Sequence, residues 1–242
     1  MTEPQPYPAM QWTDALAARY WRWQAQFPDQ YFTHRFGALI ARQLRPWLKG
    51  RRSVLDYGCG LGFLEPHLAA LGMEVSATDI SPEAVAAANA RNHGIAGFRG
   101  AVLLDELLAA ERRYDAVISI EVIEHLADEH LDGFLDALRR LLAPGGVAII
   151  TTPHEEDLRA AEIYCPACNH VFHRWQHLRS WSGPSLTAAL AARGLAVERV
   201  FATDFARAPW RQPGGAVKRM AKRLLGRAPA APHLVCIARG VL

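Results

Sequence analysis

The stretch Val54-Leu55-Asp56-Tyr57-Gly58-Cys59-Gly60-Leu61-Gly62 decides the fold. A short apolar strand pattern over residues 53–57 runs into three glycines at alternate positions, and a helical pattern follows from Phe63 to Leu71. Glycine at such a turn lets bare backbone approach a bound ligand, which a Cβ atom would obstruct. These features predict a βαβ unit that binds a nucleoside.

A second strand pattern runs from Glu74 to Thr78 and ends in Asp79. A carboxylate at this place can accept hydrogen bonds from the two hydroxyls of a ribose. A dinucleotide site would show G-x-G-x-x-G, whereas this chain has D-x-G-x-G-x-G with Asp56 before the first glycine. An ordinary tight turn is the alternative explanation of the glycines, and the joint presence of Asp56 and Asp79 disfavours it.

The D-x-G-x-G-x-G order resembles the first motif of class I S-adenosylmethionine-dependent methyltransferases. Two later strings, YDAVISIEVIEHL (114–126) and LLAPGGVAIITTP (141–153), are similar to motifs of the small-molecule branch of that superfamily. This branch includes the ubiquinone-biosynthesis O-methyltransferases. The resemblance covers roughly Ser53 to Pro153 well and the remainder loosely.

The resemblance implies an α/β fold, with a Rossmann-like, seven-stranded, mostly parallel sheet and helices on both faces. It also implies a helical N-terminal lid over residues 1–48, rich in aromatic side chains, and a methyltransferase domain over residues 49–242. The implied cofactor is S-adenosylmethionine, with Asp56 facing its amino-acid end. The full set of expected cofactor-binding residues is Asp56, Gly58, Gly60, Gly62, Asp79, Ile80 and Glu121. The adenine contact stays open between Asp105 and a backbone group.

Composition limits the remaining possibilities. The chain has 242 residues, a net charge of +3 and half of its residues apolar, which fits one sizeable globular core. It lacks an apolar run long enough to span a membrane, and its four cysteines do not form a disulfide framework, so we expect a cytoplasmic protein. A basic amphipathic segment, Lys218 to Leu225, is either a solvated helix or a dock for an anionic partner.

The expected reaction is methyl transfer, most simply to an oxygen, on a small-molecule or carrier-linked acceptor. The sulfonium methyl is already activated, so the protein mainly has to align the acceptor. His125 is a candidate general base, and Glu121 is expected to orient the acceptor or face the methionine end of the cofactor. Nucleic-acid methylation is disfavoured because the fourth strand lacks the Pro-Pro sequence that holds a flipped base. Two alternatives remain, a zinc-bearing scaffold or regulatory protein and a nicotinamide-dependent dehydrogenase.

A cysteine- and histidine-rich insertion, about 154–182, follows the fifth predicted strand. Cys165-Pro166-Ala167-Cys168 has the form of a zinc knuckle, and several histidines follow closely. Zinc prefers four tetrahedral nitrogen or sulfur ligands, so the sequence predicts Cys165, Cys168, His173 and His177 as a zinc site. A metal-free substrate loop and a redox-active cysteine pair are the alternatives.

Overall fold

Two helices precede the first strand. The computed structural model describes residues 7–206 and 231–240, and in it α1 spans Asp14–Gln24 and α2 spans Phe32–Leu48. A short 3₁₀ turn, Pro28–Gln30, separates them. The predicted helical N-terminal segment is therefore interrupted, because Pro28 has no amide hydrogen with which to continue a helix.

The central sheet has seven strands. They are β1 Ser53–Tyr57, β2 Glu74–Asp79, β3 Phe98–Leu103, β4 Tyr114–Ile120, β5 Leu142–Pro153, β8 Leu195–Thr203 and β9 His233–Gly240. Their order across the sheet is β3-β2-β1-β4-β5-β9-β8, and β9 alone runs antiparallel to its two neighbours. This arrangement confirms the predicted seven-stranded, mostly parallel sheet.

Helices cover both faces of this sheet. They are α3 Glu65–Ala69, α4 Pro82–Asn92, α5 Leu104–Ala109, α6 Asp128–Leu141 and α7 Gly183–Ala192, in addition to α2. Successive strand residues point to opposite faces, so Val54 packs in the core layer that holds Ile40 of α2, and Leu55 packs in the layer that holds Leu138 of α6. Helix α2 is therefore part of the core.

The segment between β5 and α7 forms a separate two-stranded sheet. Strands β6 (Glu162–Cys165) and β7 (His170–His173) pair antiparallel, with Cys165 opposite His170 and Glu162 opposite His173. Residues 8–10 extend this small sheet, because the Val171 amide donates to the carbonyl of Pro8. The cysteine- and histidine-rich stretch is thus a hairpin beside the main sheet.

The basic stretch Lys218 to Leu225 lies outside the described residues. Within residues 7–206 and 231–240, the helices are all too short or too polar to cross a lipid bilayer.

Candidate functional site

The glycine loop follows β1 and is tied to the end of β2. The amide of Gly60 donates to Oδ2 of Asp79 across 3.0 Å, and the amide of Gly58 donates to the Thr78 carbonyl across 2.9 Å. Asp79 also accepts a hydrogen bond from the Ser81 amide at Oδ1, across 3.0 Å. The loop and the carboxylate therefore form one rigid unit at the carboxyl ends of the central strands.

The three glycines serve different purposes. A Cβ atom on Gly58 would lie 2.7 Å from Val122, and one on Gly62 would lie 2.7 Å from the backbone of Ala88, so both positions require glycine for packing. Gly60 has φ +53°, and a Cβ atom there would meet only the ring of Tyr31, at 3.3 Å. Gly60 is therefore the glycine whose missing side chain leaves room for a ligand.

Three carboxyl groups lie around this loop. Burial raises the pKa of Asp56 well above its usual range, and the nearby Glu65 and Asp79 raise it further. Burial also raises the pKa of Glu65 to about 7, although the backbone amides of Leu64 and Glu65 act to lower it, and neither buried oxygen has a hydrogen bond of ordinary geometry within the described part of the chain. Such a group is stabilised by a cation, because unpaired buried carboxylates are costly. The loop is therefore suited to a ligand that carries positive charge.

The side chain after Asp79 is an exposed apolar one. Ile80 is 80% exposed, which is the highest exposed fraction among the large hydrophobic residues of the described chain. Asp79 itself is half-buried, and burial raises its pKa despite amide hydrogen bonds from Ser81 and Gly60. An apolar surface beside a hydrogen-bonding carboxylate suits a flat ring attached to a diol.

Glu121 stands immediately after β4 in a strained conformation. Its φ is +53°, a left-handed value that non-glycine residues rarely adopt. The Thr151 hydroxyl donates to Oε1 of Glu121 across 2.8 Å, and His233 Nδ1 lies 3.3 Å from its Oε2. Both carboxylate oxygens therefore have protein partners, on β5 and β9.

Glu124, His125 and His177 bring three potential ligand atoms together. One atom from each lies within 4.8 Å of the others. Glu124 is fully buried, with Oε2 accepting from the Thr152 hydroxyl at 2.9 Å and Oε1 left without a hydrogen-bond partner. Burial, with His177 nearby, lowers the pKa of His125 to about 3, so its ring is neutral. Two imidazole rings and a carboxyl group are a suitable ligand set for a divalent transition metal.

The outer nitrogens of the two histidines are held by hydrogen-bond acceptors. Nδ1 of His177 lies 2.5 Å from Oε2 of Glu156, and Nδ1 of His125 lies 3.4 Å from the Gln176 carbonyl. Each Nδ1 therefore faces a hydrogen-bond acceptor, so Nε2 is the ring nitrogen that is not engaged by these contacts. Metal-binding histidines are commonly oriented in this way by an outer carboxylate or carbonyl.

Glu156 also lies near His173. Burial acts to raise the pKa of Glu156, but hydrogen bonding to His177 and the charge of both histidines outweigh it and hold the pKa below its usual range. Nδ1 of His173 accepts the amides of Trp175 and His177, so its Nε2, 3.4 Å from Glu156, carries the hydrogen. Glu156, His173 and His177 form a second group of three residues whose potential ligand atoms lie within 4.8 Å of one another, and His173 stays a predicted metal ligand.

The four residues predicted as one zinc site are not brought together. Among the described residues, the groups of three or more potential ligands include His173 and His177 but neither cysteine. Cys165 lies at the turn of the β6–β7 hairpin, whereas His173 lies at the far end of β7 opposite Glu162. At about 3.3 Å per strand residue, these ends are roughly 10 Å apart. The stacked rings of His173 and His177 belong to a strand end and a loop, not to a helical turn.

Aromatic side chains from the N-terminal helices cover the site. The ring of Trp21 packs edge-on against His125 at 4.8 Å, and its indole nitrogen donates to Oε1 of Gln176 across 3.0 Å. Tyr31 lies over Gly60, and burial, followed by the charge of Asp79, raises its pKa to about 12. The lid over residues 1–48 stays a prediction.

Comparison with known proteins identifies the family. A family model described as a methyltransferase domain matches residues 20–200, which is most of the chain. The chain belongs to the S-adenosylmethionine-dependent methyltransferases. It is 36% identical over 152 residues to a ubiquinone biosynthesis O-methyltransferase of Cereibacter sphaeroides, covering 57% of this chain and 60% of that protein. A homologue with the same name from Rhizobium etli is 32% identical over 164 residues, covering 64% of each chain.

Solved structures support the same fold. A glycopeptide N-methyltransferase, MtfA, in complex with S-adenosylmethionine superposes with a TM-score of 0.58 at 18% identity, covering 84% of this chain and 94% of that one. The chain spans about 60% of the length of the Cereibacter sphaeroides relative.

Sequence reasoning did not identify several residues of this methyltransferase site. Glu65 was part of an ordinary helix pattern, and only its position behind Asp56 shows that its carboxylate is buried beside the loop. Glu124 and Glu156 come close to His177 only when segments that are distant in sequence fold together. The string Glu121-Val-Ile-Glu124-His125 was a usable signal for Glu124, whereas Glu156 had none.

Proposed function

We propose that this chain transfers the methyl group of S-adenosylmethionine to an oxygen atom of a small-molecule or carrier-linked acceptor. The observation that carries the proposal is the convergence of Glu124, His125 and His177 directly beside the glycine loop. The two features adjoin because Val122, between Glu121 and Glu124 in the chain, is the side chain that a Cβ atom on Gly58 would meet. Family membership supplies the cofactor, and the names of the O-methyltransferase relatives support oxygen as the accepting atom.

The cofactor lies, in this proposal, along the loop from Asp56 to Ile80. Its ribose hydroxyls bind Asp79, its adenine packs on the exposed side chain of Ile80, and its ammonium and sulfonium charges face Asp56 and Glu65. Gly60 leaves space for the ligand to approach the backbone of the loop, whereas Gly58 and Gly62 allow the loop to pack against Val122 and Ala88. Glu121 supports the site indirectly, since both of its oxygens already bind Thr151 and His233.

A divalent metal ion is the second part of the proposal. Glu124, His125 and His177 would hold it, and Glu156 and the Gln176 carbonyl would orient the two histidines. The fit rests on the buried Oε1 of Glu124, which has no hydrogen-bond partner among the described residues and lies 3.9 Å from Nε2 of His125. When bound, such a metal lowers the pKa of a coordinated hydroxyl, so that a separate general base is not required. His125 is then a ligand and not the base that the sequence suggested.

The protein around this cluster selects the acceptor. Trp21 stands against His125 and is held by Gln176, so an acceptor that reaches the cluster lies beneath an aromatic cover. This enclosure suits a small, flat, hydroxylated molecule and disfavours a nucleic-acid strand. The free thiols of Cys165 and Cys168 agree with a reducing, cytoplasmic setting.

Methyl transfer with controlled metal content tests the proposal. Protein stripped with a chelator is supplied with S-adenosylmethionine and a panel of hydroxylated aromatic acceptors, with and without Mg²⁺, Mn²⁺ or Zn²⁺. We expect methylation at oxygen, identified by mass spectrometry, and a metal requirement that His177→Ala abolishes. His130→Ala, which removes an exposed histidine paired with Asp14, is the matched control and should retain the requirement. Methyl groups found on nitrogen or carbon, or turnover unaffected by chelation, would overturn the proposal.

A further inference from the structure

Gln176 occupies a strained and buried position in the loop after β7. Its φ is +60°, a left-handed value that glutamine rarely adopts, and the residue is only 2% exposed. Its amide donates to the His173 carbonyl across 2.8 Å, which closes a tight turn at the end of β7. Strained backbone of this kind persists where other contacts fix it, and it is found most often at functional sites. The contacts of the Gln176 side chain therefore indicate what the strain supports.

Gln176 contacts both the backbone and the ring of His125. Nε2 of the Gln176 side chain donates to the His125 carbonyl across 3.2 Å, and Nδ1 of the His125 ring lies 3.4 Å from the Gln176 carbonyl. His177 follows Gln176 directly in the chain. Gln176 therefore connects two of the three residues in the candidate metal cluster, one through hydrogen bonds and the other through the peptide bond.

The oxygen of the same side-chain amide binds helix α1. Oε1 of Gln176 accepts the indole N–H of Trp21 across 3.0 Å, and the Trp21 ring packs edge-on against the His125 ring at 4.8 Å. Trp21, Gln176 and His125 thus form a closed triangle of contacts. The two ends of one amide group bind segments that are about 100 residues apart in the chain, so Gln176 is the side chain that joins α1 to the cluster.

Helix α1 is packed lightly apart from these contacts. Within Asp14–Gln24, Gln24 alone is buried, and the ion pair between Arg22 and Glu83 is formed by exposed side chains. Exposed ion pairs contribute little to stability. An element with few buried apolar contacts opens at a low cost in free energy. The contacts of Trp21 are therefore well placed to decide how firmly α1 is held against the site.

We propose that Gln176 is a positioning residue that couples the placement of α1 to metal binding by the cluster of Glu124, His125 and His177. The inference rests on the metal site of the proposed function. When α1 is in place, Trp21 holds the Gln176 amide, and the amide holds the His125 segment in the orientation that binds the ion. Coupling between two sites is reciprocal, so α1 is held more firmly when the ion is bound. The aromatic cover over the acceptor site is therefore completed only in the metal-loaded protein.

Zn²⁺ affinity, measured on the untagged full chain by competition with a chromophoric chelator, tests this coupling. His177→Ala identifies any Zn²⁺ bound outside the cluster. Gln176→Asn keeps a residue type that tolerates a left-handed φ but shortens the side chain, and Trp21→Phe keeps a ring while removing the N–H. Each should weaken Zn²⁺ binding about threefold to tenfold, as expected for one or two lost hydrogen bonds. The double variant should lose no more than the more affected single variant, because both changes break the same link.

Hydrogen exchange provides the reciprocal measurement and the controls separate coupling from a general loss of structure. We expect Zn²⁺ to slow amide exchange across Asp14–Gln24 in the wild type and to have much less effect in Trp21→Phe. Trp23→Phe and Gln26→Asn are the matched controls, since both residues are exposed, and they should behave like the wild type. Circular dichroism should be the same for all of these proteins. If Gln176→Asn does not fold, the comparison of Trp21→Phe with Trp23→Phe decides the outcome.

Different results would contradict the coupling and the metal site. Equal Zn²⁺ affinity in the wild type, Gln176→Asn and Trp21→Phe, or α1 exchange that does not respond to Zn²⁺, would overturn the coupling and leave the metal site intact. Losses that add in the double variant would also overturn it, because the two residues would then act separately. A wild type that binds no more Zn²⁺ than His177→Ala would contradict the metal site itself, and the coupling with it.

Discussion

The amide of Gly60 and the carboxylate of Asp79 are joined by a 3.0 Å hydrogen bond that connects the glycine loop to the end of β2. The second carboxylate oxygen of Asp79 accepts the Ser81 amide. Asp79 is therefore oriented before any ligand arrives, with its remaining lone pairs available to a ribose diol. Preorganisation of this kind reduces the entropic cost of binding.

Replacing Asp79 should weaken cofactor binding more than it weakens the fold. We expect Asp79→Asn to reduce the affinity for S-adenosylhomocysteine about tenfold to a hundredfold, which corresponds to about 1.5–3 kcal/mol for lost hydrogen bonds to a charged group. Glu74→Gln is the matched control, since Glu74 is the first residue of the same strand and pairs with Arg52 at the opposite end. Calorimetry that gives equal affinities for both variants would remove Asp79 from the cofactor site.

Cofactor binding should release protons near neutral pH. Burial raises the pKa of Glu65 to about 7, so an appreciable fraction of this carboxyl group is protonated in the free protein at pH 7. The positive charge on the amino-acid end of the bound cofactor lowers the pKa of Glu65. The carboxyl group therefore loses its proton as the cofactor binds. Calorimetry in buffers of different ionisation enthalpy should show proton release for the wild type and much less for Glu65→Gln. Equal proton release by the two proteins would place the titrating group elsewhere.

The same group predicts a pH dependence of stability in the free protein. The pKa of Glu65 is higher in the folded state than in the unfolded chain, so folding becomes less favourable as pH rises from the unfolded value, about 4.3, towards 7. Glu65→Gln should therefore unfold at a higher temperature than the wild type at pH 8, and the difference should shrink at pH 4. A difference that does not change between these pH values would contradict this assignment.

Glu156 should act on the metal through His177. Its 2.5 Å contact to Nδ1 fixes the ring orientation and the proton position. We expect Glu156→Gln to lower metal affinity about tenfold or more, as is typical for removal of an outer carboxylate, without changing the affinity for S-adenosylhomocysteine. The exposed neighbour Glu155 provides the control variant Glu155→Gln. If metal affinity falls equally in both, a specific role of Glu156 is not supported.

The sequence predicted the central βαβ unit because each of its signals is local. Strand, glycine turn and terminal carboxylate lie within 27 residues, from Ser53 to Asp79, and parallel strands bring their carboxyl ends to one edge of the sheet. The helix bounds were less accurate, since α3 spans only Glu65–Ala69 where the pattern covered Phe63 to Leu71. Short apolar helical patterns do not mark their own ends.

The candidate metal ligands could not be predicted in the same way. Cys165 and His173 are close in sequence, but a β-hairpin separates them, because side chains near its turn and near its open end lie far apart along the strands. His177 instead meets Glu124 and His125, about 50 positions earlier in the chain. This pairing depends on how the loop after β7 folds over the end of β4, and residue spacing carries no information about it.

Titration of S-adenosylhomocysteine into wild type, Gly60→Val and Gly72→Ala tests the central claim most directly. Gly60 and Gly72 both have positive φ, but a Cβ atom at Gly72 would meet nothing within 4 Å, so it controls for backbone strain. The account predicts saturable binding, with about one ligand per wild-type chain, retained in Gly72→Ala and lost in Gly60→Val although its circular dichroism spectrum is unchanged. Absence of binding by the wild type, or near-normal affinity in Gly60→Val, would contradict a cofactor site at this loop.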